Sequence, residues 1–160
     1  MANAALTQEQ IRRRLLGWSI ACEPIFPGVD LGRDLVLAGG GGTPLDLARV
    51  ESIDALGQSL SLALTTALGS DVFDTTFGFD GVNALVEESD ALLVRERVRI
   101  SVIKVLQAEP RVRQILDVDL DGDRLTRPTG GTRTLDVTVA FETVSLDQTT
   151  INLGSVVPGA

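Results

Sequence analysis

EESDALLVRERVRISVIKVLQAEPRVRQILDVDLD, residues 87–121, contains the change of period that sets the fold. From Glu87 to Ala108 apolar residues recur at helical steps. Ala91, Val94, Val98, Val102 and Val105 form one stripe, and Ile100, Ile103 and Leu106 widen it, so more than one side of the helix is covered. Arg95 and Arg99 flank the stripe one turn apart. Pro110 pushes Glu109 out of helical geometry and ends the helix. The period then drops to two: Leu116, Val118 and Leu120 alternate with Asp117, Asp119 and Asp121.

The same alternation returns downstream, where Leu135, Val137, Val139 and Phe141 are interleaved with Asp136, Thr138, Ala140 and Glu142. Strands with one wet face fit an antiparallel pair packed on helices. Thr150–Leu153 adds a last short strand. Upstream, Val50–Leu68 predicts another helix on Ile53, Leu56, Leu60, Leu64 and Ala67, with Gly69 as its C-cap. The connection SDVFDTTFGFDG, residues 70–81, holds three of the five phenylalanines, Phe73, Phe77 and Phe79, and is expected to anchor on the domain's own core.

Asp30–Leu37 reads as a strand, Gly39–Gly42 as a hairpin tip, and Leu45 with Leu47 as a second strand pairing with the first. The four glycines lack the Lys-Ser/Thr that a phosphate-binding loop requires. Thr7 and Gln10 form a capping box for a helix over Gln8–Leu16, which Gly17 and the Pro24–Pro27 pair break. The expected architecture is α+β: two main helices packed on a small antiparallel sheet, with an N-terminal helical extension. No internal repeat or linker divides it.

Composition narrows the chemistry. The chain has 160 residues, 44% of them apolar, with 14 basic against 22 acidic side chains and a net charge of −8. Such a balance argues against nucleic-acid binding, which needs a basic face to displace phosphate counterions. With no His and no Tyr, His-based triads and His metal ligands are excluded, and Cys22, the single cysteine, makes neither an internal disulfide nor a cysteine zinc site. Thirteen of the fourteen basic residues are arginine, read here as a GC-rich coding bias. Met1–Gln10 lacks a signal peptide's basic start, and no apolar run reaches the ~18 residues of a membrane span, so neither export nor membrane insertion is expected.

Asp117-x-Asp119-x-Asp121-Gly122 is similar to the start of a calcium loop, but Pro128 stands where the closing Glu belongs. Asp74, Asp80, Glu87, Glu88 and Asp90 supply carboxylates for a glycoside hydrolase if two of them share a cleft. Acids at a helix start favour its dipole without any catalytic role. No catalytic, cofactor-binding or metal site is expected.

From Gly28 to Asp121 the chain resembles the lysozyme-like baseplate wedge family of contractile phage tails, type VI secretion and extracellular contractile injection systems. The resemblance rests on Leu60-x-x-x-Leu64-Thr65-Thr66-x-Leu68-Gly69, then Phe73-Asp74-x-x-Phe77-Gly78, then Leu106-x-x-Glu109-Pro110-Arg111-Val112, in that order. It implies an N-terminal extension (1–27), a wedge domain (28–145) and a C-terminal strand or tail (146–160). It implies a structural role, with no enzyme activity: a subunit in six copies around the tail tube that docks on wedge proteins and starts sheath assembly. Partners would be sheath, wedge and tube or hub proteins, with no nucleic acid, cofactor or direct membrane insertion. The setting would be a bacterial cytoplasm and the particle assembled there. Glu109, Pro110 and Arg111 would dock on wedge proteins; read without the resemblance, Glu109 and Arg111 make a local charge pair at a helix end, worth little if exposed. Sheath growth by strand exchange needs an open edge, expected at Thr134–Val144, with Thr138 and Ala140 on it, or in the tail to Leu153. The alternatives are a carboxylate-dependent cell-wall glycan hydrolase carried on such a particle and an unrelated acidic adaptor domain.

Overall fold

Capping fixes where the chain first becomes regular. Thr7 accepts the Gln10 N–H at 3.3 Å and donates its own N–H to Gln10 Oε1 at 2.9 Å. The capping box opens α1 (Gln8–Leu16), and Gly17 at φ +74° closes it by donating its N–H to Arg13 O at 3.2 Å. The computed structural model describes residues 6–26, 29–81, 90–121 and 135–156. The chain forms two compact units, Met1–Gln58 and Ser59–Ala160, whose boundary falls inside α2 (Ser52–Thr65).

In the first unit six short strands make three antiparallel ribbons. β1 (Trp18–Ile20) pairs with β6 (Arg49–Glu51), β2 (Cys22–Phe26) with β3 (Val29–Leu35), and β4 (Leu37–Gly40) with β5 (Thr43–Leu47). The ribbons meet at a closed ring of backbone hydrogen bonds. Ala21 donates to Ala48 O (2.9 Å), Ala48 to Val36 O (2.8 Å), and Val36 to Ala21 O (3.0 Å). Gln58 of α2 brackets this junction, accepting the Cys22 N–H at 2.9 Å and donating to Ile20 O at 2.8 Å. The glycine tip holds: Gly40 pairs with Thr43 across Gly41 and Gly42, both at positive φ.

Two expectations change here. The stretch after Gly17 is not merely a break but two strands. Pro24 lies in β2 where the register shifts, on a two-stranded ribbon that tolerates a missing N–H. The Asp30–Leu37 strand is in fact two, turning at Val36, so β5 pairs with β4 and not with β3.

In the second unit α2 stops at Thr65, short of Leu68. Thr65 and Thr66 turn their hydroxyls back onto Ser61 O (3.0 Å) and Leu62 O (2.7 Å), which competes with helix continuation. Gly69 is therefore no C-cap. It sits in the loop, its N–H on Phe77 O at 3.3 Å. The loop closes where Phe79 donates to Thr66 O at 2.8 Å and Leu68 donates to Phe79 O at 3.2 Å. Of its aromatics Phe79 is buried as an anchor, Phe77 is partly exposed, and Phe73 stands 96% exposed.

Asp90 caps α3 (Ala91–Ala108), accepting from the N–H of Leu92 and Leu93. Val94, Val98, Val102 and Leu106, four residues apart, are all fully buried. Ile100, read as widening the stripe, points outward instead, 52% exposed. α3 lies on β7 (Val112–Asp121), and the Arg95 guanidinium donates to Leu120 O. β7, β8 (Leu135–Thr143) and β9 (Gln148–Val156) form one antiparallel sheet in that order. Val118, Leu120, Val137, Val139, Phe141 and Leu153 bury one face of it. A register shift between Ile115 and Asp117 makes Leu116 the extra residue of a bulge and leaves it 45% exposed, against the simple alternation. The class is α+β.

Candidate functional site

The Glu-Pro-Arg corner joins α3 to β7. Glu109 takes an extended conformation (ψ 111°), as a residue before proline should, and its N–H still reaches Leu106 O at 3.3 Å. Arg111 folds back on it as a fork. Nε donates to Oε1 at 2.7 Å, Nη2 to Oε2 at 2.8 Å, and the Arg111 backbone N–H to Oε1 at 3.2 Å. The two side chains keep only 15% and 24% of their exposure, whereas Pro110 between them is exposed. Burial alone would raise the Glu109 pKa, but the Arg111 side-chain and backbone hydrogen bonds outweigh it and hold the carboxyl below its ordinary value. The hydrogen bond to Glu109 raises Arg111 against the opposing effect of burial. Val144 donates to Arg111 O at 3.0 Å, so the corner is tied to the turn between β8 and β9.

The resemblance had both charges reaching outward to a partner, whereas the residues read alone gave a local charge pair at the helix end. The structure closes them on each other, because a two-residue spacing across a proline turn suits a bidentate carboxylate–guanidinium pair. Beside the corner lies a cavity of about 110 Å³ lined by Leu60, Ala63, Phe77, Val105 and Glu109 among others.

The strand edge also moves. Thr138 pairs with Asp119 on one side and Asn152 on the other, and Ala140 with Asp117 and Thr150. Both therefore lie on the central strand, with backbone neighbours on either side, and cannot receive a further strand. The alternation from Leu135 to Phe141 fixes a strand's face but not its rank in the sheet.

Among the described residues β7 and β9 each pair on one side only. β7 carries Arg113, Asp117, Asp119 and Asp121. β9, QTTINLGSV, has nine residues with no charge and no proline. Most natural edge strands are guarded by one or the other. Along β9 Thr149 and Ile151 are half-buried and Leu153 buried, while Gln148, Thr150 and Asn152 face water. The sequence pattern marks only Thr150–Leu153; the extension to Gln148 and Val156 shows only in the pairing with β8, because Gln148 and Gly154 interrupt the apolar alternation.

Of the carboxylates offered for catalysis, Asp74 and Asp90 are engaged locally, and Asp80 is exposed. Asp74 accepts the Thr76 hydroxyl at 2.6 Å and its N–H at 2.9 Å, bonds that lower its pKa, and Asp90 caps α3. Glu87 and Glu88 lie outside the described residues. Asp117, Asp119 and Asp121 are exposed along β7, and among the described residues no group of three potential ligands could hold a metal ion. In the first unit an open concavity of about 490 Å³ is lined by Glu9, Arg12, Arg13, Arg49, Glu51 and Asp54 among others. Arg13 pairs there with Glu9 (3.1 Å) and Glu51 (3.2 Å), and all three are well exposed. No helix among the described residues is long and apolar enough to cross a membrane. No protein-family model matches the chain, and no curated protein matches it.

Proposed function

We propose that this chain is a structural subunit of the inner baseplate of a contractile phage tail or injection system, assembled in the bacterial cytoplasm. There it would surround the tube in six copies, dock on wedge proteins and start the sheath. The observation that carries the reading is β9, an uncharged, proline-free edge strand beside a fully paired β8. A strand that, among the described residues, pairs on one side only can receive an incoming strand, as sheath growth by β-augmentation requires. The ordered series of motifs ending in Glu109-Pro110-Arg111 adds to it. The exposed Pro110 at the corner is the natural contact for wedge proteins.

Adjacent residues of a strand send their N–H groups to opposite sides. Of Thr149→Pro and Thr150→Pro, one therefore breaks a bond to β8 and the other removes a donor from the open edge. The variant that keeps the wild-type circular dichroism and melting temperature should enter baseplates and stop sheath polymerisation. Full-length sheaths on particles carrying it would overturn the reading.

A second reading, an acidic adaptor domain unrelated to tails, is favoured by the internal Glu109–Arg111 pair, which leaves the corner's charges matched within the chain. It predicts that the protein never co-sediments with tail-like particles from its producing cells. The hydrolase alternative has no comparable observation behind it.

A further inference from the structure

The loop that follows α2 displays the two most exposed large apolar side chains among the described residues, Val72 at 83% and Phe73 at 96%. The tip that holds them is fixed by its own hydrogen bonds. Asp71 Oδ1 accepts the N–H of Phe73 at 2.8 Å and of Asp74 at 3.4 Å. Asp74 Oδ1 accepts the N–H and hydroxyl of Thr76, and Phe77 donates to Asp74 O at 3.1 Å. Below, Phe79 is buried, and Gly78 presses against the backbone oxygens of Thr66 and Ala67 so closely that a Cβ would lie 2.8 Å from each. An aromatic side chain with few rotatable bonds on a pre-set loop loses little entropy when it binds, which is how interface anchors are built. Two carboxylates, Asp71 and Asp74, flank the pair, and no cation among the described residues pairs with either. A negatively charged rim around an apolar knob, on a chain of net charge −8, selects a complementary surface.

We propose that Val72 and Phe73 form a second docking point, inserting into an apolar pocket rimmed by arginine or lysine on a protein encoded beside this chain. Only the choice of a neighbouring gene's product rests on the baseplate reading; the apolar knob and its acidic rim do not. A lipid surface is the poorer fit, because bilayers with anionic headgroups repel the rim. A second copy of the chain carries the same net charge of −8, which opposes self-association.

The test titrates the full chain, by calorimetry, into each purified protein encoded beside it. One of them should bind. Phe73→Ser should weaken that binding roughly 30-fold or more without moving the melting temperature, as expected of an anchor on an interface. Asp71→Asn and Asp74→Asn keep the acceptor oxygens that hold the loop but remove the charges. They should weaken binding several-fold and flatten its salt dependence. Binding by none of the proteins overturns the proposal, as does binding indifferent to Phe73→Ser. Phe73-dependent flotation with phosphatidylcholine vesicles, or Phe73-dependent self-association in sedimentation, overturns it equally. Particles that incorporate Phe73→Ser normally would sink the loop and leave the β9 reading standing. A Phe73-dependent complex with a neighbour that forms no tail-like particle would do the reverse.

Discussion

Arg111 and Glu109 share two side-chain hydrogen bonds while largely removed from water, and this makes their pairing a measurable quantity. Charge-assisted bonds of this kind contribute about 1.5–3 kcal/mol each, less what desolvation costs, so a double-mutant cycle on Glu109→Gln and Arg111→Gln should give a coupling of about 1–2 kcal/mol. Its pH dependence follows from the lowered Glu109 pKa. The contribution is present above the ordinary glutamate value and fades as pH falls through the depressed folded value. Urea denaturation of wild type and Glu109→Gln should therefore converge in acid; a gap that persists there would show that the ion pair is not its source. Gly78 supplies the other residue-scale expectation. Its φ of +115° and the 2.8 Å approach to the Thr66 and Ala67 oxygens leave no place for a methyl group. Gly78→Ala should cost roughly 2–4 kcal/mol by thermal melting, the size typical of strain joined to overpacking.

Elements are where local pattern and tertiary demand part company. α1 is legible to the residue, since the Thr7–Gln10 box and Gly17 are local chemistry that needs no partner. α3 ends where Pro110 requires, and its buried line of Val94, Val98, Val102 and Leu106 follows the helical period. The first unit's ribbons are different. Their order depends on the ring formed by Ala21, Val36 and Ala48, three residues distant in sequence and without special side chains. Gln58 holds that ring from α2, and Gln58→Ala would leave the Cys22 N–H and Ile20 O to find water. We expect a loss of about 1–2 kcal/mol and, in hydrogen exchange, faster loss of protection at Cys22 than in β8. Equal acceleration in both places would mean that Gln58 acts on the whole chain rather than on the junction.

On the scale of the whole molecule the proposed role rests on which strand stands at the edge of the sheet. A proline that keeps the fold and blocks sheath growth is expected only on β9; Thr138→Pro or Ala140→Pro in the central strand should unfold the sheet, visible as lost circular dichroism. By itself the sequence determined the α+β class, the acidic surface, the capped helix α1, the end of α3, the glycine hairpin tip and the inward face of β8. All of these follow from nearest-neighbour chemistry or from a period of two or 3.6 residues. Tertiary structure alone decided that, among the described residues, β8 is central and β9 outermost, that Ala21, Val36 and Ala48 close a ring, and that Leu116 bulges outward. Strand rank, bulges and the ring depend on where distant backbone lies, and no local periodicity records that.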